Sequence, residues 1–320
     1  LGASATYTTI NMPFLLTIGE KYASGGGVVP PNGPFTLNSC PALTTLTLTS
    51  LQTVSGTMTL SACNSLVSYN FPSLTTIGGV SPNTGNLAFT GGTSTTSLIM
   101  TNLQTVNGTY TISTTNTLSS MDMSNLQTVN GVMTLNSCNA LVSYSFPKLA
   151  TIGGNFAFTG GTSTTTLSMP LLTTVTGTYT LNTTNTLTTL TMTNLTTISG
   201  VLTLSACNAL VSYSFPALTT VSGNLAFTGG TSTTTLSMPS LTTIAGTLTI
   251  NQTNTMTTFS LAALQTIGTI ATPATATINV GNSASMTTLN LSGLQYVAAT
   301  TIQNGTSLTT VNLAGLISMT

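Results

Sequence analysis

The sequence predicts an all-β fold, a right-handed parallel β-helix (β-solenoid) of about 13 coils with roughly 23 residues each. Three observations predict it: a leucine motif returns at a fixed interval, apolar and polar residues alternate within each interval, and Thr, Gly and Asn are abundant. Alternation with a period of two is typical of strands, and these three residue types are poor helix formers. We therefore expect short strands joined by turns.

The repeat is marked by a Leu-x-Thr-[Val/Ile] motif, whose leucine recurs at a constant interval of roughly 23 residues from Leu103 to Leu264. A longer period of three coils, or roughly 69 residues, is superimposed on it. This super-repeat is evident from three nearly identical stretches, residues 61–79, 136–154 and 205–223. The first two stretches start further apart than the last two because of an insertion around 80–85.

Each coil is predicted to contain three short strands. The apolar residues of one coil are Leu126, Val129, Met133, Leu135, Tyr144 and Phe146. Because alternate side chains of a strand point to opposite faces, these residues face one shared interior. Glycine recurs at one corner of the coils, where we expect unusual backbone angles. These corner glycines are Gly108, Gly131, Gly154, Gly177, Gly200, Gly223 and Gly246.

The pattern covers nearly the whole chain, which predicts a single β-solenoid domain over residues 1–320. Insertions near 20–32, 80–85 and 270–280 interrupt it, and we expect them to form loops. In the register of the repeat, about four positions separate Thr320 from the place where Leu1 would resume the spiral. We therefore expect the chain to be a segment or subunit of a longer array.

Charge is almost absent, since only Glu20, Lys21, Asp122 and Lys148 are ionised and the chain has no His. A basic patch for nucleic acid is missing, and no apolar run approaches the ~20 residues of a membrane-spanning helix. Catalytic sites need clustered acids, bases or metal ligands. We therefore expect no enzyme, no metal site, no cofactor, no nucleic-acid partner and no membrane insertion.

Four cysteines occupy one position of the coil. Cys40 and Cys63 are one coil apart, so a Cα separation of about 5 Å would permit a disulfide. Cys138 and Cys207 are three coils apart, or about 14 Å, which forbids one. We nevertheless prefer the alternative, in which all four are small buried residues that fill the corner.

Asparagine recurs at the turn that follows the second strand. Stacked side chains at one coil position form a ladder that satisfies backbone groups of the turn. The column consists of Asn64, Asn116, Asn139, Asn185, Asn208 and Asn254. We expect this column to be structural.

Hydroxyl side chains line the outward positions of the third strand, which makes this strand the candidate binding face. The residues are Thr166, Ser168, Thr189, Thr191, Thr235 and Ser237. The Leu-x-Thr motif adds a second column, Thr105, Thr128, Thr151, Thr174, Thr197, Thr220 and Thr243. Both sets predict a regular hydroxyl-rich surface. The simpler interpretation, which we prefer, is that Ser and Thr are the uncharged way to hydrate a β-face.

The pattern L-x-x-[VI]-x-G-x-x-x-[LI]-x-x-x-N-x-L, as in Leu126 to Leu141, resembles the coils of the receptor L domain. It is also similar to fungal cell-wall-anchored proteins built from such repeats and to leucine-rich surface proteins of bacteria. The resemblance implies an extracellular, cell-surface location. It transfers no binding residue, because nothing beyond the coil itself matches.

The sequence predicts a structural or adhesive surface protein, either a filament subunit or a segment of a long adhesin that self-associates head to tail. An ice- or crystal-binding protein using the Ser/Thr face is the first alternative. A ligand-binding module using the insertions is the second. Glycans are further expected partners, since six Asn-x-Ser/Thr sequons occur. They start at Asn107, Asn182, Asn194, Asn251, Asn290 and Asn304.

Overall fold

The fold is described by a computed structural model. It covers residues 6–19, 33–79, 84–113, 115–182, 185–205, 207–251, 255–268, 276–281, 283–297, 299–302 and 307–319. The predicted insertion at 20–32 and most of the insertion at 80–85 lie outside these residues. The insertion predicted at 270–280 is shorter than expected, because Thr277–Gly281 is a strand.

The described residues form an all-β parallel β-solenoid of about 11 turns, with successive turns about 23 residues apart and no helix. The predicted fold class is therefore confirmed. The turn number is slightly below the predicted 13. The chain divides into two compact units: unit 1 comprises Leu1–Gly154 and Gly160–Thr164, and unit 2 comprises Asn155–Thr159 and Thr165–Thr320.

In unit 1 each complete coil contributes three strands. The first strands are β2 (Thr17–Ile18), β5 (Thr53–Val54), β8 (Thr76–Ile77), β11 (Thr105–Val106), β14 (Thr128–Val129) and β17 (Thr151–Ile152). The second strands are β3 (Phe35–Asn38), β6 (Met58–Ser61), β9 (Leu87–Gly91), β12 (Tyr110–Ile112) and β15 (Met133–Asn136). The third strands are β1 (Thr9–Asn11), β4 (Thr45–Thr47), β7 (Ser68–Asn70), β10 (Ser97–Ile99), β13 (Ser120–Asp122) and β16 (Ser143–Ser145).

Unit 2 repeats the same plan. Its first strands are β20 (Thr174–Val175), β23 (Thr197–Ile198), β26 (Thr220–Val221), β29 (Thr243–Ile244), β32 (Thr266–Ile267), β35 (Tyr296–Val297) and β38 (Ser318–Met319). Its second strands are β18 (Phe156–Gly160), β21 (Tyr179–Leu181), β24 (Leu202–Leu204), β27 (Leu225–Thr228), β30 (Leu248–Asn251), β33 (Thr277–Gly281) and β36 (Ala299–Ile302). Its third strands are β19 (Thr166–Ser168), β22 (Thr189–Thr191), β25 (Ser212–Ser214), β28 (Thr235–Ser237), β31 (Thr258–Ser260), β34 (Thr288–Asn290) and β37 (Thr310–Asn312).

Within each unit, the first and second strands pair in parallel with the equivalent strands of the next coil, and the third strands do so in shorter groups. Within unit 2, Thr197 pairs with Thr220 and Ile198 with Val221, an offset of one coil. Identical residues therefore stack in columns, with β-branched Thr outward and Val or Ile inward. Such side chains suit a pleated surface that is buried on one side.

The interior of each unit is filled by Leu, Ile, Val, Met and by aromatic rings, most of them fully buried. Most of the ring pairs meet edge to face, as Tyr69 meets Phe89 at 5.3 Å and Tyr213 meets Phe227 at 5.4 Å between centroids. This geometry is the one that aromatic pairs prefer.

The first and second strands form continuous sheets within each unit, whereas the sheet of third strands is interrupted. The interruptions fall between β4 and β7, β13 and β16, β22 and β25, and β28 and β31. In each case the strand after the interruption carries an inward aromatic residue. These residues are Tyr69, Tyr144, Tyr213 and Phe259. Other coils carry a smaller inward residue at this position. Every break in the third-strand sheet therefore coincides with a bulky buried ring.

The expectation of unusual backbone angles at the corner glycines is wrong. Positive φ angles occur at Gly19, Gly78, Gly85, Gly91, Gly160 and Gly268, and none of these belongs to the predicted set. The corner needs glycine because the coils approach closely there: a Cβ at Gly131 would lie 2.7 Å from the carbonyl carbon of Gly108. The column of glycines is therefore required by stacking.

Candidate binding faces

The predicted binding residues lie on third strands of unit 2. They are Thr166 and Ser168 in β19, Thr189 and Thr191 in β22, and Thr235 and Ser237 in β28. All six side chains are half-buried or exposed. Thr166 pairs with Thr189, and Ser168 pairs with Thr191. The structure thus brings these four together and places Thr235 and Ser237 in a different sheet, with Ser212 and Ser214.

The first strands form a more regular hydroxyl surface. The outward Thr of the Leu-x-Thr motif is half-buried in every coil from β5 to β17 in unit 1 and from β20 to β32 in unit 2. In four successive coils of unit 2 the residue before it is also Thr, which doubles the column. We call this set the paired-threonine face: Thr173, Thr174, Thr196, Thr197, Thr219, Thr220, Thr242 and Thr243.

The two columns of the paired-threonine face differ in their hydrogen bonds. In the first column, the Thr196 hydroxyl donates to the Thr173 carbonyl at 3.0 Å, and the Thr219 hydroxyl to the Thr196 carbonyl at 3.1 Å. In the second column, within the part of the chain that the structure describes, the hydroxyls of Thr197 and Thr220 have no protein partner. One column therefore holds the coils together, and the other leaves its hydroxyls to solvent or a ligand.

Sequence reasoning found the second column and missed the first. The signal was present, because the variable residue of the Leu-x-Thr motif is Thr in all four of these coils. In unit 1 the same place is held by Gln52, Thr75, Gln104, Gln127 and Ala150. The paired-threonine face is therefore a property of unit 2.

The predicted asparagine ladder exists as short runs. Asn139 donates to the Asn116 side chain at 2.7 Å, and its own oxygen accepts the backbone N–H of Thr162 at 3.1 Å. The same arrangement recurs three coils further along the chain, in unit 2, at Asn185, Asn208 and Thr231. Each run of stacked asparagine side chains thus ends at a threonine, Thr162 or Thr231, which takes the place of asparagine in every third coil. Asn254 lies outside the described residues.

A shallow cleft of about 320 Å³ opens in unit 1 beside one of these turns. It is lined by Asn64, Thr90, Gly91, Gly92, Thr93, Asn116 and Thr117. Gly92 is required here because a Cβ would overlap the carbonyl oxygen of Cys63 in the coil before. Sequence reasoning did not predict this cleft, whose walls carry only neutral polar groups and backbone.

Of the four cysteines, all are buried free thiols. Cys63, Cys138 and Cys207 are completely buried and Cys40 is 4% exposed. Burial of all four agrees with the expectation of small residues that fill a corner. The Cys40–Cys63 disulfide stays a prediction.

Asp122 and Lys148 carry the charge within the described residues. The Asp122 carboxylate accepts hydrogen bonds from the Ser124 hydroxyl at 2.6 Å and the Thr101 hydroxyl at 2.7 Å. Burial acts to raise the pKa of this carboxyl, but the hydrogen bonds from Ser124 and Thr101 outweigh burial and lower the pKa. Lys148 donates to the Asn125 side chain at 2.6 Å. Both charges thus have neutral partners.

In the described ranges no group of three or more His, Cys, Asp or Glu residues could hold a metal ion. No helix there is long and apolar enough to cross a membrane. The sequon residue Asn107 is half-buried and donates to the carbonyls of Gly78 and Gly79, whereas Asn194 is exposed. Asn304 lies outside the described residues.

Two protein-family models match parts of the chain. Residues 82–207 match the BspA type leucine rich repeat region in six copies, and residues 217–312 match the receptor L domain. These matches confirm the resemblance drawn from the repeat pattern: over these two segments the chain is similar to BspA type leucine-rich repeats and to the receptor L domain. Such domains are typically extracellular or surface-exposed, and they are generally binding or scaffold modules. Searches of curated proteins and of solved structures gave no match.

Proposed function

We propose that the chain is an extracellular structural or adhesive surface protein, either a filament subunit or a segment of a long repetitive adhesin. The chemistry of its outward faces is the observation that carries this proposal. Neutral side chains of neighbouring coils bond to one another, as Ser97 does to Ser68 at 2.7 Å and Asn139 to Asn116 at 2.7 Å. Because a net charge near zero promotes association, such faces favour contact with neighbours or with uncharged polymers.

Assembly proceeds by end-to-end continuation of the solenoid in this proposal. Among the described residues, β2 and β38 are the outermost first strands and pair on one side, and open strand edges pair readily with other strands. Apolar side chains are exposed in the same coils, with Phe14 89% and Ile317 69% exposed. Further coils, from the same chain or from a neighbouring copy, would cover them.

The protein is not an enzyme in this proposal, and it takes no nucleic acid and does not insert into membranes. The support is chemical, since the described faces offer hydroxyl, amide and backbone groups. Asp122 is already satisfied by Ser124 and Thr101, so it is poorly suited to act as a general base. Glycans, attached or bound, remain expected partners.

Electron microscopy of the purified chain tests the assembly. Negative-stain images followed by cryo-EM should show filaments with an axial spacing near ~4.8 Å between coils. A matched variant, Ile317→Lys, places a charge in the exposed apolar coil at one end and should shorten or abolish the filaments. Dispersed single particles of wild-type chain at all concentrations would contradict self-assembly.

The paired-threonine face supports a second candidate function, binding to an ice or crystal lattice. Its two columns repeat at the coil spacing of about 4.8 Å in a continuous sheet, which an ordered lattice requires. The hydroxyls of Thr174, Thr197, Thr220 and Thr243 have no protein partner among the described residues. This face is more regular than the third-strand residues predicted from sequence.

An ice-recrystallisation assay tests this second function. The double variant Thr197→Lys/Thr220→Lys should lose inhibition at concentrations at which the wild-type chain is active. The control Thr189→Lys/Thr191→Lys changes the third-strand face and should retain it. A wild-type chain that leaves ice growth unchanged would remove this candidate. The loop-based ligand-binding alternative depends mainly on segments outside the described residues.

A further inference from the structure

Cys40 and Cys63 occupy equivalent positions in two adjacent coils of unit 1. The strands that lead to them, β3 and β6, pair in parallel over four residues and end with Asn38 opposite Ser61. The alignment continues into the turn, where the Ser39 N–H donates to the Ser61 carbonyl at 3.2 Å. Two residues beyond the last pair, Cys40 is therefore aligned with Cys63.

The backbone has the same conformation around both cysteines. The residue before each one is in the left-handed region, with φ of 54° at Ser39 and 50° at Ala62. After each cysteine the chain makes the same turn, in which the cysteine carbonyl accepts the N–H three residues later at 3.2 and 3.1 Å. Their Cα atoms are therefore one coil spacing apart, about 4.8 Å, which lies within the range for disulfides.

The two thiols also point the same way and are close to each other. Each donates to the carbonyl two residues earlier, Cys40 to Asn38 at 3.8 Å and Cys63 to Ser61 at 3.5 Å. Burial, the Cys63 charge and a hydrogen bond between the two side chains raise the pKa of the Cys40 thiol. Parallel stacking leaves the Cβ atoms about 4.8 Å apart, just beyond the usual ~3.5–4.5 Å, so a small approach of the coils completes the geometry.

The other two cysteines have different neighbours at the same position. In the coil after Cys63, Gly92 lies against Cys63. In the coil after Cys138, Gly161 lies against Cys138. On its other side, Cys138 accepts a hydrogen bond from the Thr115 hydroxyl at 3.0 Å. The cysteine column thus contains one pair of adjacent thiols within unit 1, and Cys138 serves as an internal control.

We propose that Cys40 and Cys63 form a disulfide across adjacent coils when the chain folds in the presence of a small-molecule disulfide such as oxidised glutathione. The thiolate of one cysteine attacks the glutathione disulfide and releases one glutathione thiolate. The second cysteine thiolate attacks this mixed disulfide and releases the other. Both cysteines lose their protons, and two electrons pass to glutathione, which leaves as two thiols.

The bond forms during folding, before the coils close. The thiolate is the reactive form, and burial of the folded Cys40 raises its pKa and disfavours that form. Once formed, the bond closes the loop from Cys40 to Cys63 and joins neighbouring coils covalently. It stabilises the part of unit 1 that contains β3 and β6, because Cys40 and Cys63 follow these two strands.

Peptide mapping after folding with reduced and oxidised glutathione tests the proposal. Trapping free thiols with an alkylating agent in denaturant should leave Cys138 and Cys207 alkylated, and Cys40 and Cys63 in one linked peptide pair. The four alkylated cysteines of the reduced chain should thus fall to two. Four alkylated cysteines after oxidative folding, or a link that involves Cys138 equally, would overturn it.

Two matched variants keep the result interpretable. Cys40→Ser should abolish the linked pair and leave three alkylated cysteines, whereas Cys138→Ser should retain the link. Circular dichroism of both variants checks that the β-structure persists. The wild-type thermal midpoint should rise on oxidation and that of Cys40→Ser should not; equal midpoints of the oxidised and reduced wild-type chain would contradict the stabilising role.

Discussion

Three buried threonines, Thr95, Thr164 and Thr233, join each Gly-Gly turn to the coil before it. The Thr233 hydroxyl accepts the N–H of Gly230 at 3.0 Å and donates to the carbonyl of Leu210 at 2.8 Å. A buried polar group is tolerated when it is hydrogen-bonded. Each of these hydroxyls thus satisfies two backbone groups that would otherwise be buried without a partner.

Replacing Thr95 with Val should lower the free energy of unfolding by about 1–3 kcal/mol, because the Gly92 N–H and the Leu66 carbonyl lose their partner. The control is Thr96→Val, whose hydroxyl is exposed and bonds to Val67 at 3.4 Å. Water can replace that bond, so its effect should stay within about 0.5 kcal/mol. Urea unfolding of both variants measures the difference, and equal effects would contradict the assigned role.

Adjacent glycines of the same turn should differ sharply in their tolerance of a side chain. A Cβ at Gly230 would overlap the carbonyl oxygen of Cys207, whereas one at Gly229 would make ordinary contacts at 3.6 Å with the Phe227 ring. Gly230→Ala should therefore lower the thermal midpoint or prevent folding, and Gly229→Ala should have little effect. Thermal unfolding followed by circular dichroism decides; a stable Gly230→Ala protein would show that the coils can separate there.

In the described part of the chain, Asp122 is the acidic side chain that should affect the response to acid. The lowered pKa of Asp122 means that its contribution to stability is present above the ordinary value of 3.8 and is lost as pH falls through the lowered value. Because the group is only half-buried, we expect less than about 1 kcal/mol. Asp122→Asn should reduce the loss of stability at acid pH in a series of unfolding experiments, and an unchanged loss would contradict this role.

Alkaline pH should destabilise the fold more strongly. Burial raises the pKa of five phenols above the ordinary value of 10.0: Tyr69, Tyr110, Tyr144, Tyr179 and Tyr213. Their contribution is present below pH 10 and is lost as pH rises above it, because the unfolded chain ionises more readily. The ultraviolet absorbance of tyrosinate, followed together with circular dichroism, should show that these five phenols ionise only as the chain unfolds. Because the chain has eight tyrosines, ionisation of more than three of them in the folded chain would contradict this burial.

At the level of strands, the three faces of a coil are not equivalent. The first and second strands pair without interruption within each unit, and the third strands break where an aromatic ring fills the interior. The super-repeat of three coils therefore has a structural meaning. It spaces the Tyr-bearing strands three coils apart, as at Tyr69, Tyr144 and Tyr213.

Hydrogen exchange should reveal these breaks. The Thr235 N–H donates to the Val211 carbonyl at 3.3 Å, while the Ser212 N–H, on the open side of β25, has no partner in the described part of unit 2. We expect the Ser212 amide to exchange at least about tenfold faster than the Thr235 amide, as less protected groups do. Nuclear magnetic resonance exchange rates measure this, and equal protection would mean that the third strands pair continuously in solution.

At the scale of the whole molecule, the lack of charge governs how copies meet. Ordinary surfaces repel through like charges, and salt screens that repulsion within about 10 Å at 0.1 M. This chain has a formal net charge of zero and only four ionised side chains, so salt has almost no charge repulsion between copies to screen. Its association must depend on hydrogen bonds, apolar contact and strand pairing.

Association of the wild-type chain should therefore be nearly independent of ionic strength. Sedimentation velocity at low and at about 0.5 M sodium chloride should give the same distribution of species, because no charge pair is weakened by salt. A variant with several Thr→Lys changes on the third-strand face serves as the charged control, which should associate more readily as salt increases. A strong salt dependence of the wild-type chain would contradict this account.

Much of this protein could be predicted from its repeats. The constant interval of the leucine motif predicted the strands, the inward residues and the stacking of equivalent positions, because a parallel solenoid aligns each coil with the next. The asparagine column and the buried cysteines followed for the same reason. The corner glycines were predicted correctly in position but for the wrong reason. They are required by close approach between neighbouring coils, and the pattern of one coil contains no information on the backbone positions of the next.

The sequence alone determined the fold class, the coil length, the neutral surface and the columns of identical residues, because all of these depend on periodicity and composition. Only the tertiary structure decided which columns lie in a continuous sheet, which hydroxyls are already bonded, and where a chain segment must be glycine. Those features depend on the distance between neighbouring coils. Backbone hydrogen bonds set that distance where strands pair. At the turns and the third strands it also depends on the side chains packed inside both coils, which the pattern of a single coil does not specify.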